Sequence, residues 1–171
     1  MSHNVFKYLM KEIKLIKKEL KDENDACSYR FSFSTEAEDI ERRRFPFILI
    51  GPPDTPYEDG IYKGVFEFPI NYPNSPPKVK IFDMFHPNIY EDGTVCISIL
   101  HKGEDAFGYE HISERWNPSL NVTSVLISII SMIPSPNFDS PANVEASKLW
   151  RENYPMFKKI VYNYVSESQK K

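Results

Sequence analysis

The chain has 171 residues, 41% of them hydrophobic and 14% aromatic, which suits one domain with a real core and calls for no second domain. A formal charge of −3 argues against nucleic acid as the main partner. No apolar run reaches membrane-span length or follows a signal-peptide pattern, so a cytosolic product is expected, and two cysteines, Cys27 and Cys96, are too few for a disulfide framework.

In residues 5–20 the apolar side chains Val5, Leu9, Ile13, Ile16 and Leu20 recur every three or four positions, the period of one buried helix face. The other face carries Lys7, Lys11, Lys14, Lys17, Lys18 and Lys21 against Glu12 and Glu19, which predicts a basic, solvated surface. Tyr29, Phe31 and Phe33 then alternate with Arg30, Ser32 and Ser34, as a half-buried strand does. Residues 45–50, 61–68 and 79–82 read as three more strands. Gly-Pro-Pro-Asp and Asn-Tyr-Pro-Asn-Ser-Pro-Pro interrupt them, because proline lacks the amide proton that a ladder requires. The region 22–44 predicts a shifted hairpin with Glu36, Glu38, Asp39 and Glu41 next to Arg42, Arg43 and Arg44 at its tip. Beyond Cys96 the pattern turns helical: 122–132 with Asn121 as N-cap, 144–153, and about 155–168 with Phe157, Ile160, Val161 and Tyr164 on one face. The class is α+β, with a four-stranded antiparallel meander between an N-terminal helix and C-terminal helices.

The chemistry concentrates in HPNIYEDGTVCISIL, residues 86–100, where Cys96 stands eight residues after Asn88. A thiol can carry an acyl group as a thioester, and an asparagine amide can donate to the oxyanion that forms when a thioester is made or attacked. A lone cysteine is more often a small buried hydrophobe, so spacing alone leaves both readings open. No adjacent histidine or cysteine pair stands ready to activate the thiol, so much of its activation is expected to come from partners. Four segments occur in a telling order: GPPDTPYEDGIY, FPINYPNSPPKV, the block from His-Pro-Asn to cysteine, and Arg115-Trp116 with Asn117-Pro118 ahead of a helical run. In that order they resemble the ubiquitin-conjugating enzymes, from about Phe6 to about Tyr164.

The resemblance implies one catalytic domain over residues 1–171 with the active site on an irregular loop. It implies that Cys96 accepts ubiquitin from an activating enzyme and passes it to a lysine of a substrate or of ubiquitin. No metal or bound cofactor is implied, and Mg-ATP is consumed upstream. Asn88 is assigned to the oxyanion or to the loop geometry supporting it, Tyr90 to the neighbourhood of the incoming lysine, and His86 and Pro87 to structure. Many relatives supply an aspartate before the third helix; Ser140 aligns there, with Asp139 one residue earlier. A substitute acid is expected in the insertion 101–115, HKGEDAFGYEHISER, where Glu104 and Asp105 stand. That insertion resembles the acidic-loop enzymes that build proteasome-targeting chains in degradation at the endoplasmic reticulum. Implied partners are ubiquitin, its activating enzyme, a RING-type ligase and a protein substrate, with recruitment from the cytoplasm to the reticulum surface by a partner. The partner surfaces fall on Lys7 and Lys11 of the first helix and on two loop tips, at Pro73 and Asn74 and at Pro118. HPNIY and CISIL also resemble the SUMO-conjugating type, against which the long insertion argues. A non-catalytic ubiquitin-binding scaffold is a further alternative, against which Cys96 and Asn88 together argue.

Overall fold

The computed structural model describes residues 3–19, 31–34, 36–103 and 111–170, so the expectations for Leu20, Cys27, Tyr29, Glu104 and Asp105 lie outside it. Helix α1, His3–Glu19, buries Val5, Leu9, Ile13 and Ile16. The strands β1 (Phe31–Phe33), β2 (Arg44–Ile50), β3 (Ile61–Glu67) and β4 (Lys78–Ile81) pair antiparallel in chain order, the predicted meander. Alternation decides which face is buried: Phe45, Phe47 and Leu49 point into the core, while Ile48 and Ile50 of the same strand face outward. Gly64, opposite Phe47 in the β2–β3 register, leaves room for that ring, whose nearest atom lies 2.2 Å from where a Cβ would stand.

Helices α3 (Val122–Met132), α4 (Val144–Glu152) and α5 (Tyr154–Ser168) follow. Each opens on an asparagine whose side chain accepts a first-turn N–H: Asn121 from Ser124, Asn143 from Ala146 and Asn153 from Met156. One apolar cluster joins the inner face of the sheet to Val125 and Ile129 of α3 and to Phe157 and Val161 of α5. Among the described residues no helix is long and apolar enough to cross a membrane.

Two expectations are corrected. The β1–β2 connection is not a bare charged tip: Ala37–Glu41 forms a short helix, α2. Alanine and glutamate favour that geometry, and Ser34 holds Asp39 across the connection at 2.8 Å. Glu12 is not on the solvated lysine face; it is 7% exposed. Its carboxylate accepts the Tyr72 hydroxyl at 2.7 Å and the N–H of Val122, the first residue of α3, at 3.1 Å. The positive end of α3 favours an anion at that position. Burial first, and then the charge and hydrogen bond of Glu12, holds the Tyr72 phenol well above its ordinary range. Tyr72 also packs against Trp116, whose indole N–H donates to the Pro73 carbonyl at 2.8 Å. Glu12 therefore ties α1 to the 72–75 loop and to α3, and Trp116 adds the segment that leads to Pro118.

Glu12→Ala leaves the Tyr72 hydroxyl and the Val122 N–H without this acceptor in a buried place, at an expected cost of about 3 kcal/mol. Tyr72→Phe removes one donor and is expected to cost about 1 kcal/mol. Urea unfolding of the two single variants and of the double variant measures both effects and their coupling.

Candidate active site

Asn88 and Cys96 meet because residues 88–96 form a small irregular hairpin. Ile89 bridges Val95, Tyr90 N–H donates to the Thr94 carbonyl at 2.9 Å, and Cys96 N–H donates to the Asn88 carbonyl at 2.9 Å. A spacing of eight residues thus puts the two candidates opposite one another across a turn. Gly93 makes the turn: its φ of +84° favours glycine, and a Cβ there would meet the Ile81 carbonyl at 2.8 Å. Asp92 secures it by accepting from Thr94 N–H at 2.9 Å and from Lys80 Nζ at 2.7 Å. The Lys80 ammonium, with Thr94, holds the Asp92 carboxyl well below the usual carboxylate range.

The residues before the hairpin are fastened to the α3–α4 connection one after another. His86, fully buried, accepts Asn88 N–H on Nδ1 at 3.0 Å, which leaves Nε2–H to donate to the Ile133 carbonyl at 3.3 Å. The Pro87 carbonyl accepts Asn143 N–H at 2.9 Å. The Asn88 amide donates to the Asn137 carbonyl at 2.7 Å and accepts Asn137 N–H at 2.8 Å. These bonds fasten His86 and Pro87 to the α3–α4 connection, and they engage both ends of the Asn88 side chain in holding the 137 loop. Tyr57, not singled out from the sequence although it stands in GPPDTPYEDGIY, donates to the Phe85 carbonyl at 2.7 Å and packs on the His86 ring.

The surroundings of the thiol differ from expectation. Cys96 is half-buried, and His101 Nε2 lies 3.7 Å from its Sγ. Five residues of extended chain would separate the two widely, but Ser98–Leu100 is a 3₁₀ turn, with Leu100 N–H on Ile97 O and His101 N–H on Ser98 O, and it folds the chain back. The signal in the sequence is a histidine five residues after the cysteine, behind the short segment Ile97 to Leu100. Tyr90 is 47% exposed, and its phenol sits above its ordinary value, mainly through the electrostatic effect of the nearby Cys96. Tyr90 also lines a surface depression with Glu91, Asp92, Thr94, Ala142 and Asn143.

The remaining candidates divide. Asp139 is exposed; its N–H donates to Asn137 Oδ1, and its carboxylate makes no hydrogen bond or ion pair among the described residues. Glu104 and Asp105 lie outside those residues. Lys7, Lys11, Asn74 and Pro118 are exposed and Pro73 is half-buried, with the two loop tips brought together by the bond from Trp116 to Pro73. No group of histidine, cysteine and carboxylate side chains able to hold a metal occurs among the described residues.

The family model for ubiquitin-conjugating enzymes matches residues 9–165, which include both the hairpin and its staples. The chain belongs to the ubiquitin-conjugating enzyme family. It is 48% identical over 157 residues to a probable ubiquitin-conjugating enzyme E2 7 of Caenorhabditis elegans, covering 91% of this chain and 95% of that one. It is 57% identical over 123 residues to ubiquitin-conjugating enzyme E2 7 of Arabidopsis thaliana, and 49% identical over 123 residues to human ubiquitin-conjugating enzyme E2 G2; each match covers 71% of this chain and 74% of the relative. In this family member the thiol stands on a hairpin whose base is locked to two helices.

Burial lowers the His86 ring to about 4, against the raising effect of the Ile133 and Met132 backbone. Unfolding frees the ring to titrate at its ordinary 6.5, so between these values the unfolded chain binds more protons and stability falls as pH drops. From about pH 7.5 to about pH 5 the expected loss from this ring is about 2 kcal/mol, read by urea unfolding. The companion NMR titration is expected to show a His86 ring still neutral at about pH 5.

Proposed function

We propose that this ubiquitin-conjugating enzyme accepts ubiquitin from the activating enzyme as a thioester on Cys96 and transfers it to a lysine of a substrate or of ubiquitin. The observation that carries the reading is the register of the hairpin, which sets a half-buried thiol against Asn88 on a locked base. Asn88 serves the reaction by placing the 137 loop, and the second proton of its Nδ2 is the oxyanion donor. Tyr90, exposed on the hairpin, flanks the path of the incoming amine. The exposed Lys7 and Lys11 meet the activating enzyme, and the joined tips at Pro73, Asn74 and Pro118 receive a RING-type ligase. Glu104, Asp105 and Asp139 supply the acidic environment of the acceptor. The enzyme needs no bound cofactor, because Mg-ATP is used by the activating enzyme. The acidic-loop insertion supports lysine-linked polyubiquitin chains for proteasomal degradation as the product, and a cytoplasmic enzyme recruited by a partner to the endoplasmic reticulum surface.

Incubation with activating enzyme, Mg-ATP and ubiquitin is expected to give a thiol-sensitive adduct on the wild type and a thiol-resistant ester on Cys96→Ser, read on non-reducing gels. Loading with SUMO alone would reassign the modifier, and loading with neither would defeat the reading. Asn88→Ala is expected to slow discharge to lysine about 10²-fold while slowing loading much less, as single-turnover assays would report.

A further inference from the structure

We propose that His101 is the proton acceptor of Cys96, a catalytic residue that takes the thiol proton during loading. The proposal rests on the reading of Cys96 as the ubiquitin carrier. Its geometric basis is the 3.7 Å approach of Nε2 to the sulfur, within hydrogen-bonding range for sulfur. The approach is built rather than incidental. His101 N–H is bonded to Ser98 O at 2.9 Å and His101 O accepts Trp116 N–H at 2.8 Å, so the backbone carrying the ring is held on both sides. Lys102 pairs with Trp116 in a bridge and sends its ammonium to Ser75 Oγ at 3.3 Å, which fixes the next residue as well.

The other titratable groups around the site are engaged elsewhere or differently placed. The His86 ring is fully buried, and its two nitrogens serve the Asn88 N–H and the Ile133 carbonyl. Asp92 is tied to Lys80 and Thr94, and Glu91 lies beyond Tyr90 in the same surface depression. Arg115 reaches the Lys102 carbonyl at 3.4 Å, and the exposed Asp139 carboxylate makes no hydrogen bond or ion pair among the described residues. The Tyr90 phenol, held above its ordinary value, keeps its proton near neutral pH, whereas an imidazole nitrogen can take the thiol proton away.

The step balances as a transthiolation. The Cys96 S–H bond breaks and its proton passes to Nε2. The sulfur lone pair forms a bond to the carbonyl carbon of ubiquitin's terminal glycine, and the tetrahedral intermediate collapses with rupture of the bond to the activating enzyme's sulfur. That sulfur leaves as thiolate and recovers a proton from solvent or from the imidazolium. No electrons are gained or lost, and no further reactant is required.

The test compares wild type, His101→Gln and His101→Asn in the full-length chain, with folding of each checked by thermal melting. The first readout is iodoacetamide alkylation of Cys96 across about pH 6–9.5, followed by peptide mapping so that Cys27 does not contribute. At about pH 6.5 the wild-type thiol is expected to react about tenfold faster than in either variant, with convergence near pH 9.5, where an ordinary thiol ionises unaided. Profiles that superimpose within about twofold for whichever variant folds would overturn the proposal. The second readout is ubiquitin loading at the same pH values, where the variants are expected to lag at low pH and recover at high pH. Wild-type protein that alkylates as expected yet never loads ubiquitin would overturn the carrier reading while leaving the thiol–imidazole pair established, so the two failures are distinct.

Discussion

Three consecutive residues, His86, Pro87 and Asn88, each reach across to the connection between α3 and α4, and the placement of the active site depends on that triple staple. The hairpin that follows meets β4 through an isolated bridge, with Ile81 N–H donating to Gly93 O at 2.8 Å and Val95 N–H to Val79 O at 2.9 Å, which fixes its strands but not its base. Its base is instead fixed by the Ile133 carbonyl at the end of α3, by Asn137 in the loop and by Asn143 at the cap of α4. A neutral buried imidazole suits this role because it donates on one nitrogen and accepts on the other, satisfying two backbone groups at right positions with no charge to bury. The cost is a ring that resists protonation, which makes the lock weaker in acid.

A second buried link, from Glu12 to Tyr72 and to the start of α3, organises the opposite task of presenting partners with a fixed surface. The loop tips near Pro73 and Pro118 are far apart in sequence, and Trp116 joins them through one indole hydrogen bond. The same tryptophan's backbone N–H holds His101. One side chain therefore touches the loop surface while its main chain supports the segment beside the thiol, so the two regions share a mechanical anchor. Coupling between them in function is a separate matter that a shared anchor permits but does not by itself create.

The sequence made the periodic parts of the fold legible. The α1 stripe, the alternation in β2 and the Asn121 cap all follow from local spacing, and each appears where that spacing places it. What could not be read was set by long-range packing. Glu12 falls among lysines in the helix pattern, yet its burial depends on Tyr72, 60 residues away, and on Val122, 110 residues away. The α2 turn escaped notice because its five residues are too few for a periodic signal. At the site, the register of Asn88 against Cys96 is implicit in the Asp92-Gly93 turn, whereas the return of His101 to the sulfur depends on a three-residue 3₁₀ turn, Ser98–Leu100, too short to carry a periodic signal.

An imidazole at the sulfur acts differently from a fixed cation. A permanent positive charge would hold Cys96 as thiolate and would lower its intrinsic nucleophilicity as it did so, because nucleophilicity falls with thiol basicity. It would also make the thiolate a better leaving group towards any nucleophile, water included, when the thioester is carried between proteins. A ring that takes a proton only when the thiol attacks would act at the moment of transfer and relax afterwards.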